Sequence, residues 1–423
     1  MSKDDGGVGE VEIMFPLGEA AGSFDLERDV CSHGLFMMAP NQWDSSSRTF
    51  SRPLRLLPNS DFSMVSISQP STTPDCLVVR VRGTHFLSED QRQSLLRQTT
   101  RMLRLSEEDE RVAKEFKKMA GAAKGDAAVW MAGFGGRVFR SPTLFEDMVK
   151  CILLCNCQFS RTLSMAKSLC DLQLELHSRS RPNSNDFAPL VVRKEHFAEA
   201  KNSDDFAPRT PARKDRKRKR RTVNDLSTDS AAVEPGEYLS GNFPSPEELA
   251  NLDEKFLAKR CNVGYRASRI IKLAKGIVQG DIPLKEFEEI SACACLSTYE
   301  KLEDQLGRIN GFGPFTCSNV LMCMGFYHAV PADSETIRHL KQVHGKVCST
   351  KTVHTVVRDI YREYDPLQFL VYWAELWYFY EQRFGKLSEL PCAAHSRITA
   401  SNMRDKAIGK TSLNVVNGDN ISQ

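Results

Sequence analysis

The 423-residue sequence has no apolar run approaching the ~18–20 residues that a membrane-spanning helix requires. Its most apolar stretch, Phe369 to Tyr380, is broken by Glu375. The opening residues, MSKDDGGVGE, contain no apolar h-region, which argues against a secretory signal. None of the thirteen cysteines stands in a CxxC pair, no Cys/His spacing matches a zinc site, and no four-cysteine iron–sulfur loop is visible. Most cysteines lie in apolar stretches such as CILLCNC and VLMCMG, as buried reduced thiols do. A dominant charge is missing too. The formal net charge is +3, and the run RKDRKRKRR at 213–221 alone contributes +7, so the other 414 residues sum to −4. Global charge is therefore no argument for nucleic-acid binding, and any such site must be local. With 41% hydrophobic and 26% charged residues, the composition excludes membrane, secreted, collagenous and wholly disordered classes.

What is present reads as an α+β chain. Residues 1–10 form a loose polar tail. From 11 to about 83, VEIMFP, FDLERDV, TFSRPLRL, FSMVSIS and CLVVRV are short, β-rich and separated by turn residues, which predicts one antiparallel sheet. The period then changes. Ser88 to Gln91 is a capping-box pattern, and Ser106-Glu-Glu-Asp opens a second helix, so an N-terminal sheet domain carrying helices is expected over 11–110. Ser141-Pro142 reads as an N-cap followed by proline at the first helical position, with Leu144, Met148, Ile152 and Cys155 on the apolar face. An all-α core is expected over 111–176 and 243–390. It is interrupted at 177–242 by a polar insertion with little apolar periodicity, and 391–423 is left as a C-terminal tail. The insertion holds the basic run, whose density predicts nuclear localisation through an import receptor; a solvated tether is the plainer reading.

The stretch most informative about chemistry is 302–340. Leu302, Leu306 and Ile309 end one helix on an apolar face, and Asn310-Gly311-Phe312-Gly313 makes a tight turn. Pro314 then starts a second helix. Its first turn offers unpaired N–H groups and a positive dipole end, a seat for phosphate. Two short helices joined by GxG can grip a DNA backbone without reading bases, or can simply pack on one another. Twenty residues after Gly313, Val330-Pro331-Ala332-Asp333 precedes another helix. Asp333 suits an N-cap, but its spacing from the hairpin is more specific than capping alone.

Hairpin, Gly/Pro turn, helix and V-P-x-D together resemble the helix–hairpin–helix DNA glycosylase superfamily, in particular its alkyladenine and 8-oxoguanine branches. The segments 139–176 and Val263-Gly-Tyr-Arg-Ala-Ser-Arg-Ile270 are similar to further family helices. The resemblance implies that duplex DNA containing a damaged base is bound and the base flipped into a pocket. Asp333 would be the catalytic carboxylate, stabilising positive charge on the sugar and assisting the attacking water. It implies DNA contacts from Asn310, Gly311, Phe312, Gly313 and Thr316 of the hairpin and from Arg266 and Arg269. The base pocket would be formed by Asn156, Gln158, Phe315, Trp373 and Trp377. For Asn156 and Gln158 helix capping is the alternative, and for the aromatics plain core packing.

Two departures matter. Strand-cleaving members carry a lysine two residues after the second hairpin glycine, where this chain has Phe315, so a Schiff-base lyase step is not expected. Near the place where the 8-oxoguanine branch reads its lesion, this chain has His33-Gly34, which neither supports nor excludes that lesion. The expectation is therefore a monofunctional, monomeric repair glycosylase in the nucleus, with no metal and no cofactor. A monovalent cation held by backbone carbonyls near Ile309 and Gly311 is the one addition the resemblance allows. The alternative is a DNA-binding protein of this fold that has lost catalysis.

Overall fold

The computed structural model describes residues 9–58, 60–179, 241–290 and 295–404. The basic run 213–221, most of the 177–242 insertion and the end of the C-terminal tail lie outside the described residues. The described residues up to Ser178 and from Gly241 onward form one compact unit. Its N-terminal half holds a five-stranded sheet of β1 (Glu10–Pro16), β2 (Gln42–Asp44), β3 (Thr49–Arg55), β4 (Phe62–Ser68) and β5 (Cys76–Arg82). The order is β1-β5-β4-β3-β2, antiparallel throughout, with Val65 opposite Arg52 and Val81 opposite Val11. One face is packed: Ile13, Phe50, Leu54, Val65, Ile67 and Val79 are buried, as alternation along a half-buried strand requires.

Two strand expectations change. FDLERDV contains a short helix, α1 (Leu26–Val30), because Asp25 accepts the Arg28 N–H and caps it. The fifth strand is instead β2, three residues long and too short to read from periodicity. The capping boxes at Ser88 and Ser106 open α2 (Glu89–Leu103) and α3 (Glu107–Ala122) as expected. After α4 (Asp126–Ala132) comes α5 (Leu144–Leu154), whose N-cap is Thr143 and not Ser141. The Ser141 N–H is instead held by the buried carboxylate of Asp147 at 2.8 Å. Helix α6 (Phe159–Arg179) runs three residues past the predicted start of the insertion.

Beyond the insertion come α7 (Pro246–Ala250), α8 (Glu254–Arg260), α9 (Arg266–Gln279), α10 (Leu284–Ile290), α11 (Leu296–Gly307) and α12 (Pro314–Met324). They are followed by α13 (Ser334–Val343), α14 (Val353–Tyr361), α15 (Gln368–Phe384) and α16 (Ala400–Arg404).

Buried ions lock sheet to helices. Arg52, on the packed face of β3, pairs with Glu146 of α5 at 2.8 Å, and Lys150 reaches the same carboxylate at 2.7 Å; all three are buried. Burial pushes the Glu146 pKa up, but the two cations outweigh it and hold it at about 2. Two further arginines tie the N-terminal half to α12. Arg104 donates to the Met322 carbonyl at 2.7 Å and Arg140 to the Cys323 carbonyl at 2.8 Å. Both carbonyls belong to the last turn of α12, where cations complement the helix dipole. The hairpin's second helix is thus held from its far end by the N-terminal half.

Candidate nucleic-acid and base-excision site

Helices α11 and α12 form the expected hairpin. Leu302 and Leu306 are buried, Ile309 is half-buried, and the Phe312 N–H closes the turn on the Ile309 carbonyl at 3.0 Å. Gly311 has φ of +88°. That positive φ favours glycine, and a Cβ there would also displace the Arg269 side chain, 2.5 Å away. Gly313 caps α12 without a side chain. The N–H groups of Gly313, Phe315 and Thr316 find no acceptor among the described residues, and Pro314 has none to offer. These donors stand at the positive end of an eleven-residue helix, beside exposed Asn310.

Three residues expected at the DNA surface point inward. Phe312 is buried in the core. Thr316 is buried, with its hydroxyl 3.1 Å from the Cys155 thiol. Arg266 is buried as well; its guanidinium donates to the carbonyls of Cys155 and Asn156. Arg266 therefore holds the turn after α5. Its position was legible: it lies four residues before buried Ile270, on the apolar face of α9. Arg269 does sit at the edge. Its guanidinium lies 4.8 Å from the ring centroid of exposed Tyr265, and its stem lies over Gly311.

The residues expected around a base come together. Asn156, Gln158, Phe315, Trp373, Trp377 and Asp333 all line one cavity of about 510 Å³, within the usual range for small-molecule sites. Asn156 is exposed at its rim with φ of +46°, a strained conformation for a residue with a side chain. Trp373 and Trp377 stand 5.7 Å apart on α15, and the Trp373 indole N–H donates to the Ser32 carbonyl at 2.8 Å. That bond fastens the aromatic wall to the N-terminal half.

Asp333 caps α13 with one oxygen only. Its Oδ1 accepts the N–H groups of Glu335 and Thr336, both at 2.9 Å, and the Thr336 hydroxyl at 3.2 Å. Its Oδ2 accepts no hydrogen bond from any described residue. Burial raises the Asp333 pKa above the usual aspartate value; the hydrogen bonds from residues 335 and 336 oppose the shift, and the Glu335 charge adds to it. Glu335, also in the cavity wall, is compensated by Arg338 at 2.9 Å and by the Tyr380 hydroxyl at 2.7 Å. The two neighbouring carboxylates thus differ: one is neutralised, the other half-bare.

His33 also lines the cavity, its ring 4.3 Å from that of Trp373. Burial and the Arg104 charge lower its pKa to about 3, so it is neutral at pH 7. Its Nδ1 accepts the Leu35 N–H at 3.3 Å, which places the ring proton on Nε2 as a donor. The sequence reading missed Glu335, Tyr380 and the contribution of Ile398 to Ser401, which line the cavity from what had read as a tail. No periodic pattern marks 398–401.

No family model matches the chain, and no curated protein matches it. Solved structures do. A structure of MBOgg1 in complex with a low-affinity DNA ligand aligns over 90% of this chain and 99% of its own, with 15% identity and a TM-score of 0.52. The 8-oxoguanine glycosylase/lyase of Clostridium acetobutylicum, in complex with double-stranded DNA, aligns over 89% and 98% with 12% identity and a TM-score of 0.52. The 3-methyladenine DNA glycosylase from Archaeoglobus fulgidus aligns over 89% and 98% with 16% identity and a TM-score of 0.50. At such identity the likeness is one of architecture, and it spans nearly the whole chain: this protein shares the fold of these solved DNA glycosylases.

Proposed function

We propose that this protein is a DNA glycosylase of base-excision repair, which flips a damaged base into the cavity and hydrolyses its N-glycosidic bond. The observation that carries this reading is the bare Oδ2 of Asp333 in the wall of an aromatic cavity, on a chain whose hairpin also presents the N–H groups at the start of α12. Phosphates of the duplex would sit on the N–H groups of Gly313, Phe315 and Thr316, with Arg269 alongside. Asn156, at the rim, would occupy the space the flipped base leaves. The base would stack among Phe315, Trp373 and Trp377, and the His33 Nε2–H would donate to it.

As the N-glycosidic bond lengthens, its electron pair leaves with the base and positive charge grows on the sugar. The Asp333 carboxylate stabilises that charge. Water then attacks C1′, and its proton passes to Asp333, whose raised pKa suits it to accept one. Phe315 supports a monofunctional enzyme: no amine stands where a Schiff base would form. A monovalent cation at the carbonyls of Ile309 and Gly311, nuclear import through 213–221 and a monomeric state belong to the same proposal.

The experiment is base release. Purified protein is incubated with methylated duplex DNA and with duplexes carrying uracil, hypoxanthine or 8-oxoguanine, with Asp333→Asn alongside. Release by the wild type and not by the variant supports the proposal and names the lesion class. Salt-dependent DNA binding with no release from any substrate moves the reading to a binding protein without catalysis. A borohydride-trapped adduct would overturn the monofunctional assignment.

A further inference from the structure

Away from the cavity, two histidines and a carboxylate converge where no sequence spacing suggested a metal. His339 lies on α13, His344 directly follows that helix, and Glu375 lies on α15. One ligand atom from each can be chosen so that all lie within 4.8 Å of one another. His344 Nε2 is 3.0 Å from Glu375 Oε1, and His339 Nε2 is 3.5 Å from Glu375 Oε2. Ligands 2.0–2.1 Å from a tetrahedral zinc stand about 3.3 Å apart, and the two histidine–carboxylate distances bracket that value.

The second observation is His339 itself. It is fully buried: its Nδ1 has no hydrogen-bond partner, and its Nε2 stands 3.5 Å from Glu375 Oε2, at the edge of hydrogen-bonding distance. A buried ring nitrogen without a full hydrogen bond is costly, and coordination of an ion would satisfy it. The surroundings suit a metal. The Tyr361 hydroxyl donates to Glu375 Oε2 at 2.5 Å, an outer contact of the kind that fixes a ligating carboxylate. His344 is partly exposed, the side from which an ion would reach the buried pair.

We propose that His339, His344 and Glu375 bind one divalent transition-metal ion of the zinc class. The ion would staple the end of α13, the helix that Asp333 opens, to α15, which carries Trp373 and Trp377. It goes beyond the glycosylase reading and does not depend on it.

The test uses the full chain, stripped with a chelator and titrated with Co²⁺ and then Zn²⁺. The wild type is expected to take up one equivalent of cobalt with the visible absorption of a four-coordinate N/O site and no thiolate-to-cobalt charge-transfer band. Zinc is expected to raise the melting temperature by a few degrees. His344→Gln, at the partly exposed position, and the near-isosteric Glu375→Gln are expected to fold and to lose both signals. No uptake by the stripped wild type would overturn the proposal. So would equal uptake by His344→Gln, or a thiolate band, which would assign the metal to cysteines.

Discussion

Glu146 and Asp333 are carboxylates placed in opposite circumstances. Glu146 sits in the seam between sheet and helices, where Arg52 and Lys150 neutralise it and drive its pKa down to about 2. Asp333 sits at the edge of a cavity, with one oxygen spent on a helix cap, the other bare and its pKa driven up. The first is a structural ion, stabilising while its partners remain. The second is kept in an environment that disfavours its charge, the state a group needs if it is to meet positive charge in a transition state.

That contrast can be broken from either side. Glu146→Ala would leave two buried cations unpaired and is expected to lower stability by about 3–5 kcal/mol; chemical denaturation measures it. The sign of the pH effect follows. Since the folded pKa of Glu146 is depressed from 4.5, its contribution is complete above about pH 4.5 and is lost as pH falls toward 2. Denaturation midpoints recorded across that window are expected to fall for the wild type more steeply than for Glu146→Ala. Asp333→Asn is expected to cost about 10²–10³-fold in single-turnover base release. It should leave stability unchanged or slightly raised, because asparagine caps as well and carries no charge to desolvate. Asp333→Ala removes the cap too and is expected to cost about 1 kcal/mol in the same denaturation assay. The smallest effect belongs to Thr336→Val. Losing a hydrogen bond to the ionised form should move the acid limb of the pH–rate profile upward by less than about one unit. A downward shift would contradict the role given to that hydroxyl.

The hairpin was legible because its grammar is local: an apolar helix end, two glycines, then a proline at the first helical position. Asp333 was legible from its distance along the chain to that turn. The capping boxes at Ser88 and Ser106 were legible for the same reason, each being four residues long. FDLERDV was misread because a five-residue helix gives periodicity too few turns to outvote β-rich composition, although Asp25 stood in the sequence as its cap. The resemblance implies DNA contacts for Arg266 and Thr316, whereas the helical face they occupy turns their side chains to the interior. The His339–His344–Glu375 cluster was not legible at all, since thirty-one residues separate the second histidine from the carboxylate and only the fold closes that distance.

The bond from the Trp373 indole to the Ser32 carbonyl joins residues 341 positions apart. The cavity has the same reach, drawing one wall from His33 to Met38 and another from Ile398 to Ser401. During synthesis the first wall leaves the ribosome hundreds of residues before the last. A nascent chain therefore carries no assembled site until residues 398–401 have emerged, and the bare carboxylate meets its enclosure only then.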